Sequence, residues 1–444
     1  MDRLFLSRWF SPLFVIFMAL VTVAVYSNTF TAAFQYDDGP IIRDNHLLRD
    51  LGNIREIVNN IRGFTLLTFA VNYAIGGLDV RGYHAVNLAV HIINASLAYL
   101  LVLATLRLVK VQEGSSRRLA AFSALLFAVH PIQTQAVTYI VQRMESLSGM
   151  FYLLALLLFI GASRASGAIK RGALYTGVAL SYLLAFYSKE ITYTLPAVIV
   201  LYDYLFIARG SLGEMLRKWP VYALLALLFA YFTYMTVVPL GGFNDLSEES
   251  AAESIYAAPI VKDLSGLEDG AGAPAGKTRH DYTAGFNVSR ISPEEYLYTQ
   301  FNVIVYYLAL LAVPANQNLD YDFPWASGLF KAPEAAPGTA LNFPMPPPAL
   351  SLAILLVITG AAAYLLLRSR KDPDSKARVA AFFILWFFII LSPTSSFIPI
   401  ADAIYEHRVY LASLGYFFIF VLVVDSAVNR LFSRLQRNPG PEGV

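Results

Sequence analysis

YLYTQFNVIVYYLALLAV, residues 296–313, is the apolar run on whose placement the topology of the chain turns. It approaches the roughly 20 residues that carry a helix across a bilayer. Counted as a crossing, it would move the basic loop 368–378 and the basic segment after residue 427 to the face opposite the other basic loops. Lys and Arg collect on the cytoplasmic side of membrane helices. The run is therefore read as re-entrant or as lying along the interface, and the spans on either side of it keep their alternation.

Outward from that run, apolar stretches near spanning length occur at 12–30, 86–106, 119–138, 146–163, 172–188, 191–208, 219–239, 349–367, 379–398 and 409–427. They predict an all-α polytopic membrane protein with about ten transmembrane helices besides the re-entrant or interfacial one. Composition agrees. Of 444 residues 57% are hydrophobic and only 14% charged, against roughly 25% charged in soluble domains. The shorter stretch 64–78 carries Thr65, Thr68 and Asn72 and is predicted to be interfacial. The first run follows Arg3 and Arg8, and Thr31-Ala32-Ala33 resembles a cleavage site. Its apolar core exceeds the roughly 7–15 residues of a signal peptide, so it is read as a retained span.

Basic clusters at 107–118, 164–171, 209–218, 368–378 and 430–437, with Arg3 and Arg8, hold twenty of the 33 Lys and Arg residues, all assigned to the cytoplasm. The external face then holds 31–85, 139–145, 189–190, 240–348 and 399–408. The polar stretch 240–290 is expected to be an external loop, and the Pro-rich 314–348 an ordered one. This gives a transmembrane domain over 1–427, with a first external loop 31–85 and a large external region 240–348, and a cytoplasmic tail 428–444. A net charge of +2 does not suggest a nucleic-acid partner. The absence of cysteine excludes disulfides, thiolate nucleophiles and Cys-type zinc sites.

Five polar clusters interrupt the apolar chain, and all five fall on the external side: Tyr36-Asp37-Asp38, His130-Pro131 with Gln142-Arg143-Met144-Glu145, Ser188-Lys189-Glu190, Asp320-Tyr321-Asp322 and Glu406-His407-Arg408. Asp37 or Asp38 can accept a proton from an attacking hydroxyl or help hold a divalent cation. A solvated turn with Gly-Pro punctuation reads equally well there. Arg143, Lys189 and Arg408 stand on the face where the positive-inside rule disfavours cations, and a phosphate leaving group accounts for them. Snorkelling to headgroups is the plain alternative for any one of them. His407 is a candidate proton carrier or phosphate donor, with a structural hydrogen bond as its alternative. Glu190 and Glu406 are candidates for orienting cations, and His130, Asp320 and Asp322 are supporting candidates. His84, His91 and His130 lie near or within spans without a clustered carboxylate partner, which argues against a histidine metal site.

With these residues laid out, the chain resembles the membrane half of the transmembrane-and-TPR O-mannosyltransferase family, related more distantly to protein O-mannosyltransferases and other GT-C glycosyltransferases. The resemblance rests on FQYDDGPIIRDN (34–45), FTLLTFAVNYAIGGLDVRGYHAVNLAVHIINA (64–95), FAVHPIQTQAVTYIVQRMESLS (127–148), YSKEITYTLPAVIVLYDY (187–204), NLDYDFP (318–324) and SPTSSFIPIADAIYEHRVYLASLG (392–415). It implies a GT-C fold, a polyprenyl-phosphate-sugar donor, and inverting transfer of mannose or another hexose to a Ser/Thr hydroxyl of an exported protein outside the cytoplasm. Asp37 and Asp38 match the acidic pair where the superfamily keeps its base. Arg143, Lys189-Glu190 and Glu406-His407-Arg408 match the remaining polar signatures. Charge and membrane side assign Arg143, Lys189, His407 and Arg408 to the donor phosphate. No cofactor is required, and the Asp pair leaves Mg or Mn open.

The pattern departs from the family in three places. TPR repeats are expected after the last span and none is read here, which leaves acceptor capture to 240–348 or to a separate protein. Gln135 stands where Glu is expected, and Gly63 where Pro is expected after Arg62. The compartment implied is a bacterial inner membrane with the site facing the periplasm. Two rival readings stay open. A GT-C transferase acting on a glycan or lipid keeps the fold and changes the acceptor. A transporter or flippase of a lipid-linked sugar is disfavoured by the lack of an inverted repeat.

Overall fold

The computed structural model describes residues 2–237, 291–336, 338–339 and 341–437. In lipid the backbone must satisfy itself, and an apolar segment does so by closing its own helical hydrogen bonds. Among the described residues the chain is built from helices and short helical turns, with no β-strand.

Six helices are long and apolar enough to cross a membrane: Val80–Leu108, Ile140–Arg164, Glu190–Ile207, Trp219–Thr236, Pro348–Lys371 and Ser413–Arg434. A seventh is counted if Glu113–Val129 and Pro131–Thr138, bent by 53°, form one broken span. The bend falls where Pro131 supplies no N–H and forces His130 out of helical geometry, with ψ at 133°. The difference from the ten spans expected lies in Phe10–Val25, Ala168–Phe186 and Lys376–Leu391, which fall short of that test and pack against the long helices. The segment expected to be interfacial or re-entrant is a helix, Pro293–Ala312, opened by a capping box in which Ser292 and Glu295 satisfy each other's backbone N–H. Polar side chains along its length bond one loop: Tyr296 to the Thr394 carbonyl, Gln300 to Ala403 and Tyr307 to Tyr405.

The region expected to form the first external loop, 31–85, contains the helix Gly63–Gly76 and the start of the helix Val80–Leu108, capped by Asp79. The last helix, Ser413–Arg437, takes in the first ten residues of the predicted tail, with Leu431 and Phe432 exposed among its basic residues. The polar stretch 240–290 lies outside the described residues.

The two ends of the bundle differ in what ties them. At one end the basic loops are clamped to carboxylates: Arg107 and Arg117 to Glu113, Lys110 and Arg209 to Asp374, Arg118 to Asp425, and Lys218 to Asp203. At the other end the polar clusters meet.

Candidate active site

The segment 34–43 turns sharply. Tyr36 sits at φ +39°, a left-handed conformation unusual for a bulky residue, and the Gly39 N–H closes the turn on the Tyr36 carbonyl at 3.0 Å. The turn exposes Asp37 and buries Asp38. The Asp37 N–H donates to the Tyr139 hydroxyl at 2.9 Å. Asp38 is 1% exposed. Its two oxygens accept the N–H groups of Val141 (2.7 Å) and Gln35 (3.0 Å), so the carboxylate staples this turn to the 139–141 segment. Burial pushes its pKa up to about 6 against those two donors.

Asp38 also lines a cavity of about 230 Å³, together with Gln135, Tyr139, Asn318 and Glu406. Glu406, 2% exposed, accepts the Asn318 N–H (3.1 Å), the Gln317 amide (2.6 Å) and the Tyr321 hydroxyl. Burial outweighs these donors and raises its pKa to about 7. The same contact with Glu406 adds to burial in raising the Tyr321 phenol. Gln135 joins the remaining sides. Its amide NH₂ donates to the Leu319 carbonyl (2.8 Å), and its oxygen accepts both the His407 N–H (2.7 Å) and His407 Nδ1–H (2.8 Å).

Of the three cations in this polar region, two are paired with carboxylates. Lys189 Nζ lies 2.9 Å from Glu145 and 3.2 Å from the Gln142 amide oxygen. Arg62 grips Glu190 with two nitrogens, at 3.1 and 3.2 Å. Arg408 is held by the Asp402 and Ala403 carbonyls (3.1 and 3.2 Å) and lies over the Tyr405 ring, with no carboxylate partner among the described residues.

The predicted residues therefore fall into three groups. Asp37, Asp38, Lys189, Glu190, Glu406, His407 and Arg408 are brought into one connected polar region. Arg143 is placed apart from the cavity. It is fully buried and donates to Asn87 (2.6 Å), Asn72 (2.6 Å), Thr68 and the Tyr83 carbonyl, over the Phe69 ring. Its guanidinium is turned to holding the helices Gly63–Gly76 and Val80–Leu108 together, where a phosphate contact had been expected. His130 likewise caps its own turn, Nδ1 accepting the Ile132 N–H at 3.2 Å. Asp320 and Asp322 are exposed on the loop that Glu406 fastens. Among the described residues no three His, Asp or Glu gather as a cation-ligand set.

Arg62, Gln135, Gln142, Tyr139 and Tyr321 were not among the predicted site residues. Arg62 carried the same signal as Lys189, a cation on the disfavoured face. The others are neutral polar residues whose role depends on the partner opposite, which no local pattern encodes.

An all-α polytopic membrane protein with a polar site assembled at one end is thus the class defined. Within it, part of the chain is similar to protein O-mannosyl-transferases. It is 30% identical over 208 residues to Protein O-mannosyl-transferase TMTC3 of Homo sapiens, covering 43% of this chain and 21% of that protein. It is 36% identical over 151 residues to Protein O-mannosyl-transferase tmtc2 of Xenopus laevis, covering 31% and 17%. It is 29% identical over 225 residues to Protein O-mannosyl-transferase TMTC4 of Homo sapiens, covering 45% and 30%. The matched part is thus under a third of the length of each of these relatives. No protein-family profile matches the chain, and no solved structure does.

Proposed function

We propose that the chain forms the membrane domain of a GT-C glycosyltransferase. It moves a sugar, mannose or another hexose, from a polyprenyl-phosphate donor at the external leaflet to a Ser/Thr hydroxyl of an exported protein. The observation that carries this reading is the meeting of polar segments distant in sequence: Asp38, Gln135 and Glu406 line one cavity, and Gln135 ties His407 to it. The likeness to protein O-mannosyl-transferases supports it over part of the chain.

The chemistry follows from the charges. The acceptor oxygen bonds to the anomeric carbon as the carbon–phosphate-oxygen bond breaks, with inversion, and polyprenyl phosphate leaves with the electron pair. Asp37, exposed beside the Tyr139 hydroxyl, takes the hydroxyl proton. Asp38 is committed to holding the turn. Arg408, free of a carboxylate partner among the described residues, and Lys189 steady the charge that develops on the phosphate.

The test is transfer of radiolabel from polyprenyl-phosphate hexose by the purified full chain, wild type beside Asp37→Asn, with and without chelator. Label should reach protein with wild type and fall by about 10²–10⁴-fold in the variant. The chelator arm decides whether a divalent ion takes part. Equal transfer by both proteins would remove Asp37 from the mechanism. Donor binding without transfer to protein or lipid would turn the reading to transport.

A further inference from the structure

The amide of Gln135 can face only one way. The Leu319 carbonyl can only accept, so the amide NH₂ must point at it. The backbone N–H of His407 can only donate, so the amide oxygen must point at that. That same oxygen lies 2.8 Å from His407 Nδ1, which must therefore carry a hydrogen. A neutral imidazole has one N–H, so the free lone pair is on Nε2. Nε2 has no hydrogen-bond partner among the described residues.

The surroundings keep the ring neutral. His407 is 6% exposed, and burial together with Lys189, Arg408 and Arg62 lowers its pKa well below the ordinary value. The nearby carboxylates do not offset this. Glu145 is taken by Lys189, Glu190 by Arg62, and Glu406 faces Gln317, Asn318 and Tyr321. Tyr405 stacks on the ring, centroids 5.1 Å apart.

An unprotonated nitrogen repels a phosphate oxygen, since both present lone pairs. It rejects an ammonium group too, because three cations already bear on the ring. What it accepts is a neutral O–H. We propose that His407 Nε2 is a hydrogen-bond acceptor for a substrate hydroxyl, on the donor sugar or on the acceptor, and that Gln135 is the positioning residue that fixes this tautomer. This replaces the phosphate contact expected of His407. It rests on the glycosyl-transfer reading for the identity of the ligand, and on hydrogen bonding alone for the tautomer. A site built to bind a hydroxyl discriminates strongly against ligands that lack it.

Two measurements test it separately. The chain has six histidines, so ¹⁵N-histidine NMR of the whole protein, with His407→Asn to assign the signal, reads the tautomer directly. Nδ1 protonated and Nε2 bare at pH 7 is expected, and a protonated Nε2 overturns the proposal whether or not the chain transfers sugar. Binding and kinetics with polyprenyl-phosphate mannose and plain polyprenyl phosphate test the ligand. His407→Asn keeps a donor for Gln135 but has no atom at Nε2. It should weaken sugar-bearing donor binding about tenfold, or raise the acceptor KM about tenfold with donor binding intact, according to which hydroxyl is held. Plain polyprenyl phosphate should bind wild type and variant alike. His407→Gln, with an amide reaching the Nε2 position, should recover part of the loss. Equal weakening of plain polyprenyl phosphate, or no change in any arm, overturns the proposal. Should wild type transfer nothing, the glycosyl-transfer reading fails. The tautomer then still decides this one, together with binding of polyprenyl-phosphate mannose and of a Ser/Thr acceptor peptide to wild type and His407→Asn, and equal binding of both ligands by the two proteins overturns it.

Discussion

Burial penalises charge, so it acts on Glu406 and His407 in opposite directions although they are neighbours in the chain. Glu406 has its pKa raised to about 7, so between its unfolded value of 4.5 and about 7 the folded state holds a proton that the unfolded state has lost. Its contribution to stability is present at low pH and fades as pH rises through that window. His407 is held neutral, so below its ordinary value of 6.5 the unfolded state binds a proton that the folded state refuses. Its contribution is lost as pH falls. The two offset one another in wild type. Thermal melts in detergent from pH 4.5 to 8 should therefore separate the variants. His407→Asn should gain stability on acidification and Glu406→Gln should lose it, and parallel curves for both would refute the assignment. Asp38 makes a sharper case. An Asn there offers one oxygen to two backbone donors and turns its NH₂ against the other. Asp38→Asn should lose about 1–3 kcal/mol of stability, the cost of one buried donor left unpaired. Asp37→Asn, exposed, should melt like wild type while losing transfer.

The helix Val80–Leu108 shows why its sequence carries polar residues where an apolar run was expected. Asn87, His91 and Asn94 recur at helical spacing and lie on one face. Asn87 donates to the Val137 and Ile140 carbonyls (both 3.2 Å), His91 Nε2 meets Ala128 (3.0 Å) and Asn94 reaches Ser146 (2.7 Å). The Ala128, Val137 and Ile140 carbonyls sit at the breaks and turn starts that separate Glu113–Val129 from Arg143–Arg164, and Ser146 lies in the first turn of the latter helix. In lipid such carbonyls need partners within the protein. The apolar period revealed the helix, and Pro131 marked a break. The reason for the asparagines was illegible, because it lies in another element's broken backbone. Close approach is similarly hidden. A Cβ at Gly415 would clash with the Phe383 carbonyl, where Lys376–Leu391 crosses Ser413–Arg437. Gly415→Ala should force these helices apart and cost about 1–3 kcal/mol. Gly76→Ala, with open space around its Cβ position, provides the helical control in the same melting assay. Equal melting of the two variants would contradict the crossing.

At the scale of the whole molecule, charge asymmetry separates the two ends of the bundle. Twenty basic residues cluster in a few short segments, and several of these are the segments that the structure ties together through Glu113, Asp374 and Asp425 at one end. The polar clusters assigned to the other face meet there through Gln135, Glu406 and Asp38. That Asp37, Lys189 and Glu406 belong to one end of the bundle was thus legible, because it depends on counting. Which of them touch one another was not, and Arg143 illustrates the limit. Its charge and face match those of Lys189, yet its neighbours are Asn72, Asn87 and Thr68, which a count cannot foresee. The orientation itself can be tested without a background signal, because the chain has no cysteine. Tyr36→Cys and Asp322→Cys are both exposed and belong to loops fastened around one cavity; Arg370→Cys belongs to the basic end. In intact cells a membrane-impermeant maleimide should label the first two and spare the third, and permeabilisation should add the third. Labelling of Tyr36→Cys without Asp322→Cys would mean that Pro293–Ala312 crosses the membrane after all. Labelling of Arg370→Cys alone would turn the whole bundle over and place the site in the cytoplasm, beyond the reach of an exported acceptor.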